Sequence, residues 1–107
     1  MEIIIGAKGK GKTTKIIKLA SENNGIIVTT SMMRVEHVVR VAREMLIKKE
    51  IEKPILNPVT YDSYFKNDCD GMQNDSFYFD DFDQWIQRPT RKPINAIALN
   101  GHGTTLL

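Results

Sequence analysis

The chain has 107 residues, of which 41% are hydrophobic and 26% charged, a composition typical of one small globular domain. Its only cysteine, Cys69, excludes an intrachain disulfide and a cysteine-based metal site, and no apolar run approaches the roughly 20 residues that cross a bilayer. The net charge of +2 is uneven, at +5 for residues 1–53 and −3 for residues 54–107, which keeps a nucleic-acid surface open as an alternative. No basic region precedes the first apolar residues, so we expect no secretory signal. The length predicts a single domain over residues 1–107, and the single cysteine favours a reducing cytoplasm.

The first predicted elements are a strand, a glycine-rich turn and a helix. An unbroken apolar run ends at Ile5 and predicts a strand over residues 2–5 that is buried on both faces. Residues 6–13, Gly-Ala-Lys-Gly-Lys-Gly-Lys-Thr, match the pattern G-x-x-x-x-G-K-[ST] at every specified position. Residues 13–23 then keep a helical period, and Gly25 is suited to the left-handed position that ends a helix. A strand before this pattern and a helix after it are the context in which it binds phosphate.

The chemistry of phosphate binding explains why the glycine-rich turn contains these residue types. Glycines let the backbone point several N–H groups into one concavity, and the following helix adds the positive end of its dipole. Lys12 is predicted to reach the β- and γ-phosphates, and the Thr13 hydroxyl to bind Mg²⁺. The predicted nucleotide-binding residues are Gly6, Ala7, Lys8, Gly9, Lys10, Gly11, Lys12, Thr13 and Thr14. The alternative interpretation is a basic turn that binds no ligand.

The middle of the chain predicts further alternation of strands and helices. Residues 26–30 are rich in β-branched side chains and predict a strand, after which Ser31 is a suitable N-cap for a helix over residues 32–49. A short strand is predicted at residues 59–61 and one turn of helix at residues 62–65. A polar loop follows, and its acidic residues do not match the spacing of a calcium-binding EF-hand.

Two aspartates follow the apolar run at residues 77–79 and predict the second half of a magnesium site. Asp80 is placed to supply a carboxylate for Mg²⁺ beside Thr13. This stretch resembles the one in which many P-loop ATPases carry a glutamate that orients the attacking water. Asp81 falls at that position, and we predict it to be catalytic together with Lys12. Because aspartate is one methylene shorter than glutamate, we expect hydrolysis to be slow. The alternative interpretation is an acidic helix cap at the end of a strand.

The last predicted strand covers residues 94–99 and ends at Asn100, which is a candidate polar sensor or, alternatively, part of an Asn-Gly turn. We expect residues 102–107 to be loosely held. Three basic residues lie between the two final predicted elements, and each is a candidate arginine finger or, alternatively, a loop charge. They are Arg88, Arg91 and Lys92.

Over residues 3–100 the chain resembles the P-loop NTPases, with residues 6–13 in the place of Walker A and residues 77–81 in that of Walker B. The resemblance is to the additional-strand ATPase branch, and it implies a three-layer α/β fold with a minimal, mostly parallel sheet of four to five strands and flanking helices. It implies Mg²⁺ and ATP, with GTP less favoured because the Asn-Lys-x-Asp motif of G-proteins is absent. The early P-loop and residues 59–65 and 80–97 also resemble very small phage-encoded P-loop proteins of unassigned function, which implies the host cytoplasm.

The predicted function is Mg-ATP binding with slow hydrolysis, in which the nucleotide state controls association of the chain with itself or with a partner. One alternative is a nucleoside or small-molecule kinase, with Asp62 or Asp83 as the base. Another is a helicase-like accessory ATPase on nucleic acid, suggested by the basic first half and by the aromatic residues at 61, 64 and 65. The last alternative is a non-hydrolysing inhibitor with the same fold.

Overall fold

The computed structural model describes residues 2–5, 9, 11–66, 76–89, 92–98 and 103–107. In chain order, the elements found in these residues are β1 (Glu2–Ile5), α1 (Lys12–Asn23), β2 (Ile26–Thr29), α2 (Met32–Ile47), β3 (Val59–Thr60), α3 (Tyr61–Phe65), β4 (Phe77–Phe79), α4 (Phe82–Gln87) and β5 (Gly103–Leu106). Seven of them lie within about two residues of the predicted bounds, because each corresponds to a local apolar run or helical period.

The structure is mixed α/β, and every strand pair in its described part is parallel. β2 is central in a three-stranded sheet and lies between β3 and β4, while β1 pairs with β5 in a separate two-stranded sheet. The prediction of an α/β fold with parallel strands is thus confirmed at this level. The strands are divided between two sheets in the described residues, where we expected one sheet of four to five strands.

The hydrophobic core lies where α1 and α2 pack together against β2. Residues of the two helices that share this face are buried, and Ile27 of β2 and Ile51 after α2 complete the cluster. The buried helix residues in the cluster are Ile16, Ile17, Ala20, Val38, Ala42 and Met45. The helical period of residues 13–23 thus corresponds to a buried face of α1.

The prediction that β1 is buried on both faces is wrong. Ile3 and Ile4 are half-buried, and Ile5 is 51% exposed. The physical reason is that β1 has one strand neighbour in the described residues, β5, and so lacks the second neighbour of a central parallel strand, although Ile4 packs against the core cluster.

The turn between α1 and β2 differs in detail from the prediction. Asn24, and not Gly25, adopts the left-handed conformation (φ 53°, ψ 37°), and its N–H donates to the Ala20 carbonyl at the end of α1. Gly25 is buried, and it is suited to its position for a different reason. A Cβ there would collide with the ring of Tyr78 and lie 3.3 Å from the Ser76 carbonyl oxygen. A close approach by β4 therefore requires glycine at this position.

The predictions for the end of the chain need two corrections. Residues 93–98 form no strand and are exposed, and the Gln87 side-chain amide binds the Lys92 carbonyl (2.9 Å) and the Ile94 N–H (2.5 Å). These backbone groups thus have a side-chain partner in place of a neighbouring strand. Residues 103–106 are not loosely held, since they pair with β1 as β5, and Leu107 N–H donates to Ile5 O at 2.7 Å. Among the helices in the described ranges, none is long and apolar enough to span a membrane.

Candidate functional site

The carboxyl ends of β2, β3 and β4 meet at one edge of the central sheet, which is where ligands bind in parallel α/β sheets. The register places Asp80 directly after β4 and beside Thr29, whose hydroxyl donates to Asp80 Oδ2 at 3.5 Å. Asp80 N–H continues the ladder by donating to the Val28 carbonyl (2.9 Å), and the Tyr61 hydroxyl donates to the Asp80 carbonyl (2.8 Å). Asp80 is therefore fixed by its backbone as well as by its carboxylate.

Both described glycines of the glycine-rich turn adopt a backbone conformation that favours glycine. Gly9 and Gly11 both lie in the left-handed region, with φ of 81° and 86°, where any other residue would be strained. Gly11 is the N-cap of α1, and its carbonyl accepts from Lys15 N–H at 3.0 Å. Lys12, Thr13 and Thr14 form the half-buried first turn of α1. The other four predicted nucleotide-binding residues, Gly6, Ala7, Lys8 and Lys10, lie outside the described residues.

Three predicted site residues from distant parts of the chain converge on one atom, Nη2 of Arg34. This nitrogen donates to the Thr13 hydroxyl oxygen at 3.5 Å. It lies 3.6 Å from Asp80 Oδ2 and 3.4 Å from Asp81 Oδ2. The structure thus brings the predicted magnesium ligands, Thr13 and Asp80, together with the predicted catalytic Asp81.

The carboxylate of Asp80 is in an environment that disfavours its charge. Its side chain is 2% exposed, and burial is the main cause that raises the pKa of Asp80, with the negative charge of Asp81 as the second cause. The Arg34 guanidinium and the Thr29 hydroxyl act in the opposite direction. Burial and the neighbouring aspartates also raise the pKa of Tyr61, so its hydroxyl serves as a hydrogen-bond donor. Two neighbouring acids of this kind are stabilised either by a proton on one of them or by a cation close by.

Asp81 has an unusual backbone that bears on its predicted role. It adopts the left-handed conformation (φ 55°, ψ 36°) at the N-cap position of α4, yet its side chain makes no capping hydrogen bond. The interpretation of an acidic helix cap therefore holds for the position of Asp81 but not for its carboxylate, which faces Arg34. Residues in sparsely populated backbone regions cluster at functional sites.

The structure positions some of the other candidate residues away from this convergence. Arg88 pairs with Asp62 at 3.0 Å on an exposed surface, and Trp85 Nε1 also donates to Asp62, at 3.4 Å. These hydrogen bonds lower the pKa of Asp62, which makes it a weak general base. Asp83 and Lys92 are exposed. The candidate finger Arg91 and the candidate sensor Asn100 lie outside the described residues.

The aromatic residues after β3 join a cluster with those of β4 and α4. Tyr61 is fully buried at its centre, Tyr64 is half-buried, and Phe65 is 51% exposed with its ring stacked on Trp85 at 4.9 Å. The other members of the cluster are Phe77, Phe79 and Phe82. The cluster anchors the Asp80 backbone through Tyr61 and therefore has a structural role.

Arg34 is the site residue that the sequence reasoning missed, although a signal for it exists. It lies in the first turn of α2, where the helix dipole disfavours a positive charge. A basic residue in this first turn, just after an N-cap serine and a few residues after a buried strand, indicates a nearby acidic partner. That the partners are Asp80 and Asp81 depends on the pairing of β2 with β4, which the sequence does not reveal.

The oxygen atoms around Arg34 Nη2 fit a hard divalent cation. Two carboxylates and a hydroxyl are the ligand types that Mg²⁺ takes, usually keeping several waters. Within the ranges that the structure describes, no group of three or more His, Cys, Asp or Glu residues could hold a metal on its own. The three oxygen atoms could hold a divalent ion only together with water or other oxygen ligands.

Comparisons of this chain with protein-family models, with curated proteins and with solved structures found no match.

Proposed function

We propose that the chain binds Mg-ATP on a minimal three-layer P-loop fold and hydrolyses it slowly, and that the nucleotide state controls association with itself or with a partner. The observation that supports this proposal is the convergence of Thr13, Asp80 and Asp81 within 3.6 Å of one cationic nitrogen. Thr13 lies 67 positions before Asp80 in the sequence. A basic turn without a ligand would not require them to meet.

Each of these residues has a distinct role in the proposal. The left-handed glycines and the N-terminus of α1 direct backbone N–H groups at the phosphates, and Lys12 neutralises their charge. Thr13 and Asp80 hold the Mg²⁺, which when bound neutralises charge on the β- and γ-phosphates. Asp81 orients the water. Its short side chain gives the slow rate, because an error of about 1 Å in position costs on the order of a hundredfold in rate.

Exposed apolar side chains beside the site support the proposed control of association. Met32 and Met33, which directly precede Arg34 in the first turn of α2, are 63% and 79% exposed. Flexible methionines are common at surfaces that bind proteins. A ligand that changes the contacts of Arg34 acts on the same helical turn and so alters how these two side chains are presented.

The binding part of the proposal is tested by replacing Lys12. We expect Lys12→Ala to weaken Mg-ATP binding in calorimetry by at least about tenfold, since a charge-assisted phosphate contact contributes about 1.5–3 kcal/mol. Lys18→Ala is the matched control, because Lys18 is exposed on the same helix. At a hundredfold excess of ATP over Kd, the free energy of unfolding of the wild type should rise by about 2.7 kcal/mol. Equal affinity of Lys12→Ala and the wild type would contradict the proposal.

The same proteins test hydrolysis and association. Single-turnover measurements should show slow release of phosphate by the wild type and less by Asp81→Asn. Sedimentation velocity should show a change of association state with Mg-ATP in the wild type and none in Lys12→Ala. Binding without any turnover would instead favour the non-hydrolysing alternative.

A further inference from the structure

We propose that Arg34 is an internal cation that competes with the divalent metal for the oxygens of Thr13, Asp80 and Asp81, so that metal binds only when the guanidinium gives way. The inference deepens the proposed function, on which it rests for the identity of the metal as Mg²⁺. Arg34 thereby sets the metal affinity of the site without being one of its ligands.

The geometry leads to competition because one nitrogen already contacts all three oxygens. Arg34 Nη2 lies 3.5 Å from the Thr13 hydroxyl oxygen, 3.6 Å from Asp80 Oδ2 and 3.4 Å from Asp81 Oδ2. Mg²⁺ would bind these oxygens directly, at about 2.0–2.1 Å, or through one intervening water molecule. In either case it needs the space that the guanidinium fills. The two cations would also repel each other across that distance.

The contacts of Arg34 are loose enough to be exchanged. All three exceed the 2.7–2.9 Å that is usual for a charge-assisted N–H···O⁻ contact. Its Nε is buried and has no hydrogen-bond partner, an arrangement that opposes the retention of this position. The side chain is 34% exposed, so it has a path towards solvent. Arg34 therefore neutralises the two acids without binding them as tightly as a guanidinium can.

A functional consequence follows for the order of binding. Because the metal must displace a positive charge that is built into the protein, the free ion binds weakly. A metal that arrives with a triphosphate brings negative charge that the released guanidinium can face. Arg34 thus makes the site select the metal–nucleotide complex over the free ion.

The test titrates Mn²⁺ alone and measures the free ion by electron paramagnetic resonance. Mn²⁺ has the same preference for oxygen ligands as Mg²⁺. Since a neighbouring charge changes proton binding to a carboxylate by about 1–3 pKa units, we expect Arg34→Met to bind Mn²⁺ at least about tenfold more tightly than the wild type. Arg43→Met is the matched control, because it removes the same charge from an exposed position of α2. It should bind Mn²⁺ as the wild type does.

Mn²⁺ affinity in Arg34→Met that is equal to or weaker than that of the wild type would overturn the proposal. Circular dichroism tests whether Arg34→Met is folded. If it does not fold at any Mn²⁺ concentration, Arg34→Lys takes its place. A smaller gain in affinity is then expected, because lysine keeps the positive charge but its shorter side chain brings the ammonium less close to the three oxygens. Unchanged or weaker binding in Arg34→Lys overturns the proposal equally. No nucleotide is present, so this outcome is independent of whether Lys12→Ala shows ATP binding.

Discussion

Asp80 shows, at the scale of one residue, how a buried carboxylate in a candidate site can lower the stability of the fold. Its carboxylate is 2% exposed and adjoins a second aspartate, and these two causes raise the pKa of Asp80 in spite of Arg34 and Thr29. A folded state that raises the pKa of an acid holds its proton more tightly than the unfolded chain does. The contribution of Asp80 to stability is therefore greatest at low pH and falls as the pH rises from the unfolded value of 3.8 through the folded pKa.

Replacing this carboxylate should stabilise the protein in the absence of metal. We expect Asp80→Asn to have a higher midpoint of thermal unfolding than the wild type at pH 7 in chelator-treated buffer, because the amide is neutral. The advantage should shrink as the pH falls below the folded pKa of Asp80. Asp83→Asn, which makes the same change at an exposed position, should show neither effect. Destabilisation by Asp80→Asn that is equal at every pH would contradict the explanation by burial.

At the scale of the element, the start of α2 connects helix stability to the site. Ser31 is the N-cap, and its Oγ accepts from the backbone N–H of Arg34 at 3.2 Å, as the sequence predicted. The same hydrogen bond fixes the backbone of the residue whose guanidinium faces the two aspartates. The cap residue Ser31 could be recognised from the local sequence, and it positions Arg34, whose role could not be recognised in this way.

Loss of this cap should have a measurable cost. We expect Ser31→Ala to lower the free energy of unfolding by about 1 kcal/mol in urea titrations, since it leaves the Arg34 N–H without its side-chain acceptor. Ser31→Asn keeps an acceptor of suitable length and should remain close to the wild type. If the two variants lose equal stability, the cap is not the cause.

How much of the molecule the sequence predicts depends on the range of the interactions involved. The glycine-rich turn, the N-cap of α2 and the aspartates after β4 follow from local patterns, and in the structure Thr13 and Asp80 both lie close to Arg34 Nη2. Local patterns could not distinguish Asn24 from Gly25 as the left-handed residue, because both types adopt that conformation. The need for glycine at position 25 comes from Tyr78, 53 residues away.

At the scale of the whole molecule, strand pairing determines what the patterns leave open. Residues 94–98 and 103–106 are both short segments near the chain end, and the higher apolar content of the former favours it as the strand. The structure pairs 103–106 with β1, while Gln87 binds backbone groups of residues 92 and 94. A segment forms a strand only where the edge of another strand offers backbone hydrogen-bond partners. Because the glycine-rich turn directly follows β1, this pairing also bears on the proposed nucleotide site.

The pairing of β1 with β5 can be tested with two proline variants. Leu107 N–H donates to Ile5 O, and since alternate residues of a strand face the same neighbour, the N–H of Thr105 also points to β1 while that of Thr104 points away. We expect Thr105→Pro to lower the free energy of unfolding by about 1–3 kcal/mol and to weaken Mg-ATP binding, because β1 loses a hydrogen bond and no longer holds the turn firmly. Thr104→Pro removes an N–H that faces away from β1 and should be tolerated much better. Equal losses of stability in the two variants, measured by urea titration, would show that the register of this pair is not the one described.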